Sequence, residues 1–191
     1  DCLDLYQLHT VDPEVPLGET MGAFAELQAH GKIRYVGLSN VSVEQLTLAQ
    51  QIVDVDCVQN HLSVLSQGDL TTAQHCDAQG IAYLAYAPLG GGGRAKSVGE
   101  LHPALARMAE ERGVPAQQIA LAWLLQLSPT LPVIPGPTTP APARSRRAAW
   151  GRPRSRPRPP VCPGPPSHVW AGAAVPLMPC RRVGHTGRPS R

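Results

Sequence analysis

The sequence predicts an α/β fold on a parallel sheet, and within that class a partial (β/α)8 barrel of TIM type. Short β-rich runs begin near residues 3, 33, 57, 81 and 131 and alternate with apolar patterns of helical spacing. That alternation implies parallel strands joined by helical crossovers. The runs also turn polar at their carboxyl ends, at His9, Ser39 and Asn40, Gln59 and Asn60, and Tyr86 with the glycines from Gly90. A (β/α) barrel gathers such ends on its active face. No Gly-x-Gly-x-x-Gly turn follows the first strand, which disfavours a doubly wound dinucleotide fold.

Residues 1–8 read as the first strand on Leu3, Leu5 and Tyr6. Pro16 suits the first turn of a helix carrying Leu17, Met21, Phe24 and Leu27, and Gly31 can close it in a left-handed cap. Residues 33–38 form the second strand. Ser42 and Gln45 match a capping box, so a helix is expected from about Val43 with Leu46, Ala49 and Ile52 inward. Residues 56–61 give a third strand, and Asp69 a plausible N-cap for a helix that carries Leu70, Ala73 and Cys76 and stops at Gly80. The fourth strand is residues 81–86. After the glycine run come one helical pattern on Leu101, Leu105, Met108 and Ala109 that closes at Gly113, and another from Pro115 on Ile119, Ala122 and Leu125. Residues 131–134 complete the set as a fifth, short strand.

Composition divides the chain near Gly136. All fourteen acidic residues and six of the seventeen Lys and Arg precede it, whereas eleven Arg and thirteen of the twenty-one Pro follow it. We expect a structured region over 1–136 and an Arg/Pro-rich tail over 137–191 without a packed core, disordered for want of apolar periodicity. The five Cys lack metal-ligand spacing, so no metal site is expected and the thiols suit a reduced, cytoplasmic setting. No apolar run is long enough for a membrane span, and no basic-then-apolar leader is present. The start at Asp1 instead of Met leads us to expect a fragment.

Taken together, Asp4-Leu5-Tyr6-Gln7-Leu8-His9, Gly31-Lys32-Ile33-Arg34 with Gly37-Leu38-Ser39-Asn40, Val58-Gln59-Asn60, and Ala85-Tyr86-Ala87-Pro88-Leu89-Gly90 resemble the successive signatures of the aldo-keto reductases. The resemblance runs over residues 1–136 and implies strands 4 to 8 of an eight-stranded barrel that binds NADPH across its carboxyl face and reduces small aldehydes or ketones. It implies that His9 is the active-site histidine, that Ser39, Asn40 and Gln59 hydrogen-bond the nicotinamide carboxamide, and that Tyr86 stacks on the nicotinamide. It counts Ala87 among the cofactor-binding residues and places Pro88, Leu89 and Gly90 along the pyrophosphate. Side chains with both donors and acceptors, and a flat phenol, are what an amide on a flat ring requires.

Two departures accompany the match. The family's general acid, a Tyr assisted by Lys and Asp, comes from its first strands and has no counterpart here; Tyr6 precedes its strand end by three residues, and Lys32 lies at a strand start, on the wrong face of a barrel. Beyond Gly136, the family's adenosine-binding helix cannot be read in the tail. The expectation is therefore a catalytically incomplete piece of an aldo-keto reductase; the alternative is a non-catalytic nicotinamide-nucleotide-binding or regulatory module. Five strands leave two open edges through which copies could associate. The tail's Arg would bind nucleic acid non-specifically, but its abrupt onset and Arg-Pro-Gly-Ala bias fit a shifted GC-rich reading frame better, so no nucleic-acid partner is expected.

Overall fold

The computed structural model of the chain describes residues 1–91 and 93–136. The tail expected to be disordered, 137–191, lies outside the described residues. Within them run β1 (Leu3–Leu8), α1 (Leu17–Ala29), β2 (Ile33–Ser39), α2 (Val43–Gln50), β3 (Cys57–His61), α3 (Leu70–Gln79), β4 (Ala82–Tyr86), α4 (Val98–Leu101), α5 (Pro103–Arg112), α6 (Ala116–Leu127) and β5 (Val133–Ile134). The strands form one sheet in the order β1-β2-β3-β4-β5, every pair parallel. Among the described residues, β1 and β5 each pair on one side only.

Strand alternation gives the sheet two unlike faces. Tyr6, Val36, Leu38, Val58, Tyr83 and Ala85 share one of them, and all but Tyr6 are buried. The helices pack there. The Tyr6 ring lies 5.0 Å from that of Phe24 on α1, and the Tyr83 hydroxyl donates to Asp69, just ahead of α3. Leu3, Leu5, Tyr35, Gln59, His61 and Tyr86 share the other face, where Leu3 is 56% and Tyr35 48% exposed. Stability therefore rests on the helix side, at about 25 cal/mol per Å² of apolar surface removed from water.

Local chemistry accounts for several helix ends. The capping box is formed: Gln45 N donates to Ser42 Oγ at 3.3 Å and Ser42 N to Gln45 Oε1 at 3.0 Å. Gly31, Gly80 and Gly113 take left-handed φ beyond α1, α3 and α5. At the first of these, Lys32 N bonds back to Leu27 O, which closes the carbonyls of the last turn.

Several expectations are corrected. Leu101 and Leu105 do not share a helix. Pro103 disfavours helical geometry at His102, whose φ of −140° separates α4 from α5. Ile52 lies beyond the end of α2 and is 40% exposed, and Leu27 on α1 is also exposed. Asp69 precedes α3 without a side-chain cap bond, because its carboxylate accepts from Thr72 and Tyr83 instead. The last strand shrinks to Val133–Ile134, since Pro132 has no N–H to donate to the ladder.

On the less covered face Gln7 crosses from β1 over Gly37, and its Nε2 donates to Cys57 Sγ at 3.5 Å. A Cβ on Gly37 would meet Gln7 Cγ at 2.5 Å. Gly37→Ala should therefore destabilise the fold by about 1–3 kcal/mol. The double variant with Gln7→Ala should recover most of that loss, as read from urea midpoints.

Burial, reinforced by the Asp56 charge, pushes the Cys57 thiol from its ordinary 9.0 up to about 11. Burial and the Asp69 carboxylate push Cys76 to about 12. Unfolded thiols ionise first, so the unfolded state gains from rising pH while the folded state does not. Stability should be unaffected by these groups below about pH 9 and decline as pH climbs through 9 toward 11. In peptide maps after iodoacetamide treatment at about pH 8, exposed Cys2 should be labelled well ahead of Cys57 and Cys76.

Candidate active site at the strand carboxyl ends

The carboxyl ends of β1, β2, β3 and β4 meet around Asn40. This residue follows β2 with φ 57°, a left-handed conformation that Asn adopts more readily than most non-glycine residues. From there its Nδ2 donates to His9 O at 2.9 Å and to Ser39 Oγ at 3.1 Å, while its Oδ1 accepts from the Tyr86 hydroxyl at 2.8 Å. Its backbone N–H reaches Gln59 O at 3.2 Å. One residue thus touches groups from four strand ends, three of them through its side-chain amide.

Ser39 is buried, and its hydroxyl donates to Gln59 O at 2.6 Å. That bond ties β2 to β3 and leaves Ser39 Oγ as an acceptor. Gln59 is half-buried, level with Ser39 and Leu84 in the register. His9 is exposed directly after β1, and it is its backbone carbonyl that joins the Asn40 network. Tyr86 is half-buried at the end of β4 and presents its ring on the same face as Gln59.

Beyond Tyr86 the chain makes a tight turn in which Gly90 N donates to Ala87 O at 2.8 Å. Ala87 has φ 47°, a conformation that disfavours residues with a Cβ and that clusters at functional sites. Pro88 and Leu89 are buried in the turn. Gly90 has φ 91°, and a Cβ there would come within 3.0 Å of Leu65 Cδ1. Arg94 follows, exposed, with its N–H on Gly91 O. A backbone held close and open with a cation beside it suits a phosphate-bearing ligand.

Two residues matter here that the sequence reading had given no role of their own. Asn60 is buried, its Oδ1 accepting from Val41 N at 3.2 Å and its Nδ2 donating to Val41 O at 2.7 Å. It thereby fixes the path from β2 into α2, and hence Asn40. His61 stacks on Tyr86 with ring centroids 5.4 Å apart and planes 19° from parallel. The only signal for either was position at a strand end.

The array fits an amide carried on a flat ring. Asn40 Oδ1 and Ser39 Oγ each keep acceptor capacity for an amide N–H, Gln59 lies alongside with both a donor and an acceptor, and Tyr86 offers a flat face. Among the described residues no cluster of His, Cys, Asp or Glu could hold a metal, and no helix is long and apolar enough to cross a membrane.

Strands that feed polar side chains onto one end of a parallel sheet form the kind of binding face that (β/α) enzymes use, and comparison with known proteins identifies the family. The aldo/keto reductase family model matches residues 1–152. The chain belongs to that family, and the match extends past Gly136. It is 36% identical over 134 residues to an uncharacterized oxidoreductase of Schizosaccharomyces pombe, covering 70% of this chain and 42% of that protein. Against pyridoxine 4-dehydrogenase of Escherichia coli it is 33% identical over 155 residues, covering 78% of this chain and 52% of that enzyme. The crystal structure of an aldo/keto reductase from Klebsiella pneumoniae in complex with NADP and acetate superposes with a TM-score of 0.69 at 29% identity, over 80% of this chain and 54% of the other. The chain spans about half the length of the curated relatives it matches.

Asn60→Ala would leave the buried N–H and C=O of Val41 without partners. A loss of about 1–3 kcal/mol in urea unfolding is expected, with the Asn40 side-chain amide resonances displaced. Gln59→Ala, which leaves the Gln59 backbone carbonyl and its bonds in place, should cost far less.

Proposed function

We propose that this chain carries the nicotinamide-binding side of an aldo-keto reductase site, serving NADPH-dependent reduction of small aldehydes or ketones. The observation that carries the reading is the convergence of Ser39 and Asn40 at the end of β2 with Tyr86 at the end of β4 through bonds of 2.8 and 3.1 Å, with Gln59 on the strand between them, level with Ser39. Related structures from Klebsiella pneumoniae in complex with NADP and with NADPH support the choice of cofactor.

Bound NADPH supplies the hydride. Asn40 Oδ1 and Ser39 Oγ accept from the carboxamide, and Gln59 binds it from β3. Tyr86 would stack on the flat ring, and Ala87 would be among the residues that hold the cofactor. Pro88, Leu89 and Gly90 line the pyrophosphate, and Arg94 supplies charge. His9, exposed beside Asn40, orients the substrate carbonyl. None of the residues matched to the family supplies its general acid, a contribution of roughly 10²–10⁴-fold in rate. We infer that the residues of this chain bind the cofactor.

Titration of the full chain with NADPH, followed by reduced-nicotinamide emission, should show saturable binding. Tyr86→Ala should weaken it roughly 5- to 10-fold by loss of stacking, and Asn40→Ala should weaken it further by releasing the strand ends. Saturable binding that neither substitution alters would refute the assignment.

A further inference from the structure

We propose that His61 is a positioning residue that sets the plane of the Tyr86 ring and so decides which face a flat ligand can reach. His61 and Tyr86 are direct register partners across β3 and β4, on the less covered face of the sheet. Their rings are stacked at 5.4 Å and 19°. The Tyr86 hydroxyl is held separately by Asn40 Oδ1 at 2.8 Å. The phenol is thus fixed at its tip and along one face, and only the opposite face is left for stacking.

A second observation separates this role from plain sheet packing. His61 Nε2 is buried and has no hydrogen-bond partner. A buried polar atom without a partner opposes stability, and an apolar side chain of similar size would avoid that penalty. Side chains kept against local stability concentrate at functional sites. What imidazole has and an aliphatic side chain lacks is a flat face to set against Tyr86.

The inference rests on the nicotinamide reading of Tyr86, and the test distinguishes the two. In the full chain, His61→Phe keeps a flat ring and His61→Leu removes it; both delete the unpaired nitrogen. The Tyr86 ring signals, assigned through Tyr86→Phe, are followed by NMR with ring-labelled tyrosine in ligand-free protein, and NADPH affinity is measured alongside. His61→Phe should keep the ring-current shift of Tyr86 and hold affinity within about twofold, whereas His61→Leu should lose that shift and weaken NADPH roughly 2- to 10-fold. Neither variant should lower the unfolding midpoint by more than the other. Unchanged Tyr86 signals in His61→Leu would overturn the proposal, as would displaced signals with unchanged affinity. If the unsubstituted chain bound no NADPH, the cofactor reading would fall, and the Tyr86 signals would still decide whether His61 sets the ring.

Discussion

The carboxyl end of this sheet depends on one side-chain amide. Asn40 bonds the His9 carbonyl, the Ser39 hydroxyl and the Tyr86 hydroxyl, and its own N–H meets the Gln59 carbonyl. These groups come from strands separated by whole helices in sequence. Each bond is worth about 0.5–1.5 kcal/mol net, so their value lies less in stability than in geometry. The left-handed backbone at Asn40 is what aims the amide, and Asn60 on the next strand fixes that backbone by clamping Val41.

The two faces of the sheet divide the work. On one, Val36, Leu38, Val58 and Tyr83 are buried with the helices. Tyr83 is tied further to Asp69, and burial together with that carboxylate pushes its hydroxyl well above the ordinary range, so it stays a neutral donor. On the other face lie Gln7, Gln59, His61 and Tyr86, with polar atoms, close glycine contacts and an unpartnered nitrogen. Several features that oppose stability thus lie on the face away from the main apolar core.

The same division explains what could be read from sequence. Strands β1 to β4 and their helices were legible because half-buried elements carry periodic apolar residues, and the capping box at Ser42 was legible because it is local chemistry. The break at His102 was missed because the apolar spacing of Leu101 and Leu105 continues through it, and only Pro103 marks the interruption. The resemblance gathered Ser39, Asn40, Gln59 and Tyr86 into one group, but not how they are bonded. That Ser39 is committed to the Gln59 carbonyl, or that His61 backs Tyr86, depends on register between strands, which no single strand encodes.

The sheet order has a consequence for biosynthesis. Because β1-β2-β3-β4-β5 is also the order in the chain, every strand is added to the edge left by its predecessor, and no strand has to insert between two that are already paired. A nascent chain can therefore assemble this sheet strand by strand from its amino end, with loop closures limited to neighbouring units. The Asn40 amide would first find His9, and would wait for the synthesis of β4 before Tyr86 completes the set.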